Sequence, residues 1–548
     1  MHRRVRVETR AGWVEGRIEN RIDADRLDEA PDDRPVSVFR SIPYARPPTG
    51  PLRWAPPQPE VRWSGVRDAT HFGPSAPQRP SVVMRMLGMD GVTQDEDCLT
   101  LNVWTPAPDL AEGGTDGVRR PVLVWLHGGA FAAGAGSMPV YDGARLARRG
   151  DVVVVTIQYR LGALGYLVVP ELLERGEVGA NFGLLDQIAA LAWVHEHAER
   201  LGGDPENVTV FGESAGAMSI GALLGAPAAR GLFRRAILQS GATRNVTPLD
   251  GALRIAELFR TALGEDARDL DALRKAPVEA VLEAQQQAAD LRWNHVEGLA
   301  FQPVCEGPIA GAILPRPPLD AVAAGDVADV ALLVGTNLDE WRLFALADQK
   351  LAALDDEGLV RRILRAPPPG VHDAEAFARR AVASYRSARR TSRDTDPDRG
   401  AVTPPRLGRR PADARDLWLA LQTDRVFRIP ALRLLEAQLR HQPRCFAYLF
   451  TWAAAALDGK LGSCHAAEVP FVFGTLDEPR SAQLIGDTPA ARRLSERIMD
   501  AWLAFARHGD PGWPAYDDPT RATMVLGRDG GVASDPLGAE RRVWEGLL

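Results

Sequence analysis

The chain has little of what marks disulfide-rich, zinc-binding or membrane-spanning proteins. Its 548 residues include only four cysteines, which are widely spaced and form no C-x-x-C pair, so a zinc site and a disulfide framework are both disfavoured. No uncharged apolar run is long enough to span a bilayer, and residues 152–157 fit a short buried strand instead. Residues 1–9 lack the apolar core of a signal peptide. These absences predict a cytoplasmic protein with reduced thiols and no membrane span.

Lysine is also scarce, because Lys275, Lys350 and Lys460 are the only lysines among 65 basic residues. The formal net charge of −7 argues against a nucleic-acid partner. Apolar residues make up 45% of the chain and charged residues 25%, which is ordinary for a soluble globular protein. Neither a repeat nor a low-complexity linker divides the chain, so we expect one α/β core across residues 1–548. The sequence carries no signal for an oligomeric state.

Short apolar, β-branched runs alternate with helical patterns through the first two thirds of the chain. Such alternation predicts a mostly parallel central sheet flanked by helices on both faces. The strand-like runs are residues 98–104, 121–126, 152–157, 208–211, 236–238 and 330–334. Helical patterns cover residues 181–200, 248–293, 373–389 and 413–440.

A serine stands where one of these strands gives way to a helix. Residues 208–216 read Val-Thr-Val-Phe-Gly-Glu-Ser-Ala-Gly, which is the G-x-S-x-G pattern with Ser214 at its centre. In this pattern the serine hydroxyl is raised out of the sheet on a tight turn, and the N–H groups that follow lie at a helix N-terminus. The pattern predicts a nucleophilic serine, although a glycine-containing βα turn with an incidental serine would read the same way.

A serine nucleophile needs a base, and His465 is the best candidate. It lies in a loop of small and polar residues just before an apolar run, with Glu468 three positions later. A surface loop histidine would look similar. The other candidates are His127, which lies in a glycine-rich turn, and His195 and His197, which lie in a predicted helix and are expected to be solvated.

The acid that orients the base is predicted to be Glu340. It follows the buried strand 330–334, and carboxylates at the carboxyl ends of parallel strands face the ligand crevice. A helix-capping role is the alternative, and Asp339 fits that role better. Ser214, Glu340 and His465 stand in the chain order of nucleophile, acid and base, as in the α/β-hydrolase triad.

A glycine-rich turn follows the strand 121–126. Residues 125–131 read Trp-Leu-His-Gly-Gly-Ala-Phe, an HGGG-type sequence whose small residues leave backbone N–H groups free. Such N–H groups stabilise a developing oxyanion, so the turn predicts an oxyanion hole. A turn needed only for chain reversal is the simpler alternative.

These motifs, taken in order, resemble the type-B carboxylesterases, which include bacterial para-nitrobenzyl esterases and animal carboxyl- and cholinesterases. The resemblance covers nearly the whole chain. The matching segments are residues 39–48, 96–106, 125–131, 181–187, 211–216, 335–340 and 465–474.

The resemblance implies an α/β-hydrolase fold and a serine carboxylesterase that acts on small-molecule esters without metal or cofactor. Ser214, Glu340 and His465 would be the catalytic residues. The oxyanion donors would be the N–H groups of Gly129, Ala130 and Ala215, and nearby polar groups would be Glu213, Ser240 and Glu468.

Three departures from the family pattern stand out. Ala76 occupies a position where many members have a cysteine, so Cys98 lacks the usual early partner. Residues 84–93 lack the tryptophan with which cholinesterases hold a quaternary ammonium, so cholinesterase activity is not expected. Trp341 replaces a common glycine after the acid, where its ring could narrow the crevice or shift the loop of Glu340.

Two insertions, about residues 248–330 and 341–430, are expected to cover the pocket and to set the substrate. The sequence identifies neither the ester nor its chain length. Two other functions remain open, a non-catalytic binding protein on the same fold and an acyltransferase that uses the same triad.

Overall fold

A computed structural model describes residues 3–19, 34–80, 85, 88, 91–106, 116–293, 298–391 and 412–547. Its strands are labelled β1 to β15 in chain order: Arg4–Glu8, Trp13–Glu19, Val36–Pro43, Val66–Asp68, Thr100–Thr105, Arg120–Leu126, Val153–Ile157, Gly203–Glu213, Arg235–Gln239, Thr247–Pro248, Val304–Cys305, Ala331–Asn337, Cys445–Phe450, Ala522–Leu526 and Gly531–Ser534.

Thirteen of the described strands form one sheet in the order β1-β2-β3-β5-β7-β6-β8-β9-β12-β13-β14-β15, with β4 beside β2. Neighbouring strands from β7 to β14 are parallel, as are β2 and β4. The pairs β1-β2, β2-β3, β3-β5, β5-β7 and β14-β15 are antiparallel. The expected mostly parallel sheet is therefore confirmed. Parallel neighbours need crossover connections, and helices supply them on both faces.

The helices are Ala144–Gly150, Gly162–Tyr166, Pro170–Glu174, Phe182–His197, Ala215–Gly225, Leu249–Leu263, Leu270–Lys275, Val278–Trp293, Pro318–Ala323, Trp341–Phe344, Asp356–Arg365, Ala374–Thr391, Ala414–Thr423, Ile429–Leu439, Val469–Phe473, Pro479–Ile485, Pro489–His508 and Gly538–Arg541. A π-helical turn, Asp424–Arg428, joins two of them. Within the described ranges, no helix is long and apolar enough to cross a membrane.

Strand β6 illustrates why the sheet is buried on both faces. Successive side chains of a strand point to opposite faces, so Val122 and Val124 pack in one buried cluster while Leu123 and Trp125 pack in the other. Every residue of β6 is buried. The apolar side chains on both faces of the strand are removed from water, and this burial stabilises a central parallel strand.

The central strands end side by side at one edge of the sheet. Leu126 of β6 is level with Gly212 of β8, and Glu213 of β8 with Gln239 of β9. Asn337 of β12 is level with Phe450 of β13. The loops after β6, β8, β12 and β13 therefore emerge next to one another, and they carry the residues that the sequence singled out.

The two predicted insertions contain most of the remaining helices. Residues 249–293 are mostly helical, as expected, and form the helices Leu249–Leu263, Leu270–Lys275 and Val278–Trp293. These helices pack in a third apolar cluster together with Phe301 and Val304. Helices Asp356–Arg365, Ala374–Thr391 and Ala414–Thr423 form a fourth cluster that includes Trp544 near the end of the chain. Part of the second insertion, residues 392–411, lies outside the described residues.

Candidate active site

Ser214 lies between β8 and the helix Ala215–Gly225, on a backbone that an L-residue rarely adopts. Its φ and ψ are 55° and −123°, and its N–H donates to the Gln239 carbonyl at 2.9 Å. Strain of this kind costs about 1–3 kcal/mol and persists where the surroundings fix the conformation. Gly216 permits the turn, because a Cβ there would lie 2.0 Å from the carbonyl oxygen of Leu126. The strand-turn-helix arrangement that the G-x-S-x-G pattern requires is therefore present.

The glycine-rich turn after β6 lies directly against this serine. A Cβ on Gly128 would lie 2.8 Å from the Glu213 carbonyl oxygen and 3.1 Å from Ser214 Cβ, so only glycine allows the approach. The side chain of Gln78 is hydrogen-bonded to the far end of the turn. Its Oε1 accepts from the Gly134 N–H at 2.7 Å, and its Nε2 donates to the Gly134 carbonyl at 2.9 Å. The sequence offered no signal for this role of Gln78.

Three backbone N–H groups stand beside the serine without acceptors. Gly129 and Ala130 both have positive φ, 119° and 56°, and Ala215 is the first residue of its helix. Their N–H groups have no hydrogen-bond acceptor in the part of the chain that the structure describes. Gly129 and Ala130 also line the same cavity as Ser214. Donors in this state can bind an oxygen that carries negative charge.

The structure brings Glu340 and His465 together. Glu340 Oε2 lies 2.6 Å from His465 Nδ1, and Glu340 Oε1 accepts from the Asn337 N–H at 2.7 Å. Both side chains are buried. Because a carboxylate can only accept, Nδ1 carries the proton, and in the neutral imidazole Nε2 keeps its lone pair. Nε2 has no hydrogen-bond partner among the described groups, and His465 lines the cavity with Ser214.

A second carboxylate, Glu213, lies close to the other side of the imidazole. Its Oε1 is 3.0 Å from His465 Nε2, although the two atoms are not aligned for a hydrogen bond. Burial raises the pKa of Glu213. Burial by itself lowers the pKa of His465, but the charges of Glu213 and Glu340 outweigh it and raise that pKa above its usual range. The pKa of His465 is therefore raised by two carboxyl groups rather than one.

A buried hydrogen-bond network surrounds Glu340. Asn337 donates from Nδ2 to Glu468 Oε2 at 2.6 Å and to the Cys464 carbonyl at 2.8 Å. Glu468 Oε1 accepts from Gln239 Nε2 at 3.1 Å. Burial raises the pKa of Glu468. Asn337 thus joins Glu340, Glu468 and the histidine loop, a role that its place three residues before the acid could have suggested.

Ser240 is the predicted site residue that the structure leaves apart from this network. It is fully buried at the end of β9, and its hydroxyl has no hydrogen-bond partner in the described ranges. Its neighbour Gly241 packs against the Ser214 carbonyl, where a Cβ would lie 2.7 Å away. Within the described residues, Ser240 therefore lies near the turn without a side-chain hydrogen bond to His465 or Glu340.

The other candidate bases do not meet the serine's requirements. His127 is fully buried, stacks on Tyr159 at 4.4 Å, and has its pKa lowered by burial to about 4. The sequence predicts that His195 and His197 are solvated. His195 is partly exposed, as predicted, but the prediction is wrong for His197, whose side chain is buried at 3% exposure. His197 accepts from the Arg10 N–H at 2.9 Å, because the N-terminal hairpin covers this end of the helix. None of the three lines the cavity of Ser214.

Trp341 neither displaces Glu340 from His465 nor lines the cavity. Its backbone N–H donates to Thr423 Oγ1 at 3.2 Å. The centroid of its ring lies 5.0 Å from that of Phe344 and 6.4 Å from that of Phe427. Glu340, the residue before Trp341, keeps its contact with His465. The tryptophan thus links the residue after Glu340 to Thr423 and Phe427.

A cavity of about 350 Å³ opens onto Ser214 and His465. Its wall is mostly apolar, with polar groups at the glycine-rich turn and at one side. The lining residues are Arg79, Pro80, Gly128, Gly129, Ala130, Ala132, Ala133, Met138, Val140, Tyr141, Glu213, Ser214, Gln285, Gln286, Leu343, Phe344, His465, Ala466, Val469, Pro470, Arg480, Ser481 and Leu484. Within the described ranges, no group of three or more His, Cys, Asp or Glu side chains is arranged to hold a metal ion.

The arrangement of strand ends, serine turn and histidine loop is that of an α/β-hydrolase. The sequence pattern of the Carboxylesterase family matches residues 3–534. The chain therefore belongs to the carboxylesterase family and is a carboxylic ester hydrolase.

Individual relatives agree over almost the full length. The para-nitrobenzyl esterase of Bacillus subtilis is 35% identical, with 98% of this chain and 97% of that protein covered. The liver carboxylesterase of Sus scrofa is 33% identical over 94% of this chain and 89% of its own. Among solved structures, a PNB esterase superposes with a TM-score of 0.79 at 35% identity, covering 98% of this chain and 99% of the other.

Proposed function

We propose that Ser214 is the nucleophile, His465 the general base and Glu340 the residue that orients His465, in ester hydrolysis through an acyl-enzyme. The observation that carries this proposal is one cavity lined by both Ser214 and His465, with His465 Nδ1 bonded to Glu340 at 2.6 Å. Cys464, beside the histidine, is a poor competitor as nucleophile, because burial raises its pKa to about 12 and keeps the thiol protonated.

In the first half of the reaction, Ser214 Oγ forms a bond to the ester carbonyl carbon while its proton passes to His465 Nε2. The carbonyl π electrons move onto oxygen. When the tetrahedral intermediate collapses, the bond to the alcohol oxygen breaks and the Nε2 proton goes to that oxygen. In the second half, water gives a proton to Nε2 and its hydroxide attacks the acyl carbon. Ser214 Oγ then leaves and takes the proton back.

The N–H groups of Gly129, Ala130 and Ala215 are proposed to bind the oxyanion. They lack acceptors in the described structure and adjoin Ser214. One donor of this kind contributes on the order of 10²- to 10³-fold in rate. Because all three belong to the backbone, they are already oriented before the charge develops, and little reorganisation is needed.

Three further groups are proposed to support the triad. Glu213 raises the basicity of His465 from 3.0 Å away, and Glu468 acts through Asn337 to hold the acid loop. Ser240 is proposed to have only a supporting polar role beside the serine turn. These assignments predict smaller kinetic effects than loss of any triad member.

We propose esters of small, uncharged acids and alcohols as the substrate class. The cavity measures about 350 Å³, and Met138, Val140, Leu343 and Phe344 give it apolar walls. Apolar walls with a few convergent polar groups are usual for small-molecule sites. A series of p-nitrophenyl esters from acetate to decanoate should give its highest kcat/KM at short chain length. A maximum at decanoate would contradict this assignment.

Residues 1–548 are proposed to act as one α/β-hydrolase domain whose insertions border the cavity. The first insertion contributes Gln285 and Gln286 to the lining, and the second contributes Leu343 and Phe344. A cytoplasmic location is proposed because all four cysteines are unpaired and three of them are buried. Thermal unfolding that is unchanged by a thiol reductant would support this location, whereas a loss of stability would oppose it.

The proposal is tested with Ser214→Ala, a change that removes the nucleophile and adds no bulk. We expect normal thermal unfolding, near-complete loss of p-nitrophenyl acetate hydrolysis, and no labelling by a fluorophosphonate. Ser219→Ala is the matched control, since Ser219 is buried in the following helix and bonds to Gln187 at 3.0 Å. Full activity or labelling in Ser214→Ala would refute the assignment of Ser214 as nucleophile.

A further inference from the structure

A π-helical turn in the second insertion lies against the histidine of the site. Residues Asp424–Arg428 form this turn between the helices Ala414–Thr423 and Ile429–Leu439. A π turn inserts one residue into a helix and redirects the side chains that follow, and such turns often occur at functional sites. Here the turn directs Phe427 onto His465, with ring centroids 4.8 Å apart.

Phe344 completes an aromatic wall beside the imidazole. Its ring centroid is 5.0 Å from that of His465 and 6.1 Å from that of Phe427, with the two phenyl planes only 12° apart. Phe427 is buried, whereas Phe344 is partly exposed at the cavity. The His465 ring is therefore bounded by Glu340 at Nδ1 and by two phenyl rings.

A chain of buried hydrogen bonds holds the π turn. Asp424 accepts from Arg428 at 2.6 Å and 2.7 Å and also from the hydroxyl of Tyr385. That hydroxyl accepts from Trp544 Nε1 at 2.6 Å. All four side chains are buried. Two-point pairing of a guanidinium with a carboxylate fixes geometry more strictly than a single contact does, so the first residue of the turn is firmly held.

We propose that Phe427 is a positioning residue for His465, and that the Asp424–Tyr385–Trp544 chain keeps the π turn in the conformation that places it. The inference rests on the proposed role of His465 as base. His465 becomes a cation in each half-reaction, and the quadrupole of an aromatic ring within about 6 Å attracts a cation. The ring also blocks rotation of the imidazole away from Glu340.

The first test replaces Phe427 by Leu, which keeps an apolar side chain and removes the ring. We expect kcat for p-nitrophenyl acetate to fall about 2- to 30-fold with little change in KM, because the interaction strengthens as His465 gains charge. Phe259→Leu is the matched control. Phe259 is also buried and packs on another ring, Phe301, at 6.3 Å, and it is not among the residues that line the cavity.

A spectroscopic readout separates positioning from general destabilisation. The proton between His465 Nδ1 and Glu340 should give a far-downfield proton resonance in the wild-type enzyme, one that Glu340→Gln removes. In Phe427→Leu this resonance should broaden or disappear, since a mobile imidazole exchanges its proton with water. It should persist in Phe259→Leu even if that variant melts at a lower temperature.

The second test addresses the anchor. Tyr385→Phe removes the hydroxyl that links Trp544 to Asp424, and it should weaken the same resonance and lower kcat by a smaller factor than Phe427→Leu. Tyr516→Phe is its control, because Tyr516 is also buried and loses a hydrogen bond from Arg521 at 2.6 Å outside the site. Should Phe427→Leu not fold, Phe427→Met and Tyr385→Phe decide the matter.

The inference is overturned if a folded Phe427 variant keeps wild-type kcat and an unchanged resonance, or if both controls lose the resonance equally. An unchanged resonance in Tyr385→Phe overturns the anchor. If the proposed function itself is wrong, the result is different, because Ser214→Ala would then remain active whether or not Phe427 is replaced.

Discussion

Replacing Glu340 by glutamine tests whether Glu340 sets the tautomer of His465. The two oxygens of Glu340 have different partners, the backbone N–H of Asn337 at 2.7 Å and His465 Nδ1 at 2.6 Å. Glutamine has one oxygen and one NH₂ group. The Asn337 N–H is a fixed donor, so the amide oxygen must remain on it, and the NH₂ group then faces Nδ1. The histidine must accept there and carry its proton on Nε2, which leaves no lone pair for the serine proton.

The size of the effect follows from this change of tautomer. An imidazole with the wrong tautomer retains its position but cannot act as a base. Such a change costs on the order of 10⁴-fold in kcat, or ~5.4 kcal/mol in transition-state stabilisation. Stability should change much less, because the amide is close in shape to the carboxylate and both of its hydrogen bonds can still form.

The assay is kcat/KM for p-nitrophenyl acetate together with thermal unfolding. Glu306→Gln is the matched control, since Glu306 is also buried and accepts a backbone N–H, that of Leu314, at 2.7 Å outside the cavity. We expect full activity in the control and about 10⁴-fold less in Glu340→Gln. A folded Glu340→Gln enzyme with more than about a tenth of wild-type activity would refute the tautomer argument.

Two further predictions concern the base and the turn. Glu213→Gln removes a carboxyl group that lies 3.0 Å from Nε2 and whose charge raises the pKa of His465. The pKa of His465 should therefore fall, and the rising limb of the pH profile of kcat/KM should move to lower pH. A rising limb at the wild-type pH would show that this charge has no influence on His465. Gly216→Ala places a methyl 2.0 Å from the Leu126 carbonyl oxygen and should lower stability by roughly 3 kcal/mol or abolish folding. Its control, Gly251→Ala in the helix Leu249–Leu263, has its nearest contact at 3.2 Å and should melt close to wild type.

The sheet and the serine turn could be predicted because their physical causes are local. Runs of β-branched residues that are buried on both faces have few alternatives to a parallel strand. Gly216 allows a close approach that any other residue would block, so the turn is encoded in five residues. Glu340 and His465 follow strand ends that meet at one edge, which made their proximity an expectation from topology alone.

The surroundings of the site depend on contacts that sequence patterns do not encode. Gln78 reaches the glycine-rich turn from 56 positions away, and the histidine's aromatic neighbour Phe427 is directed there by a π turn. A helical pattern over residues 413–440 predicts no such turn. The burial of His197 also escapes a sequence pattern, because the hairpin that covers it lies 187 positions earlier in the chain.

A crystal structure of the enzyme after reaction with a fluorophosphonate tests the central claim most directly. The account predicts a covalent bond from phosphorus to Ser214 Oγ and a phosphoryl oxygen about 2.7–3.1 Å from the N–H groups of Gly129, Ala130 and Ala215. It also predicts that His465 remains bonded to Glu340. An adduct on another residue, or a phosphoryl oxygen that points away from these three N–H groups, would contradict it.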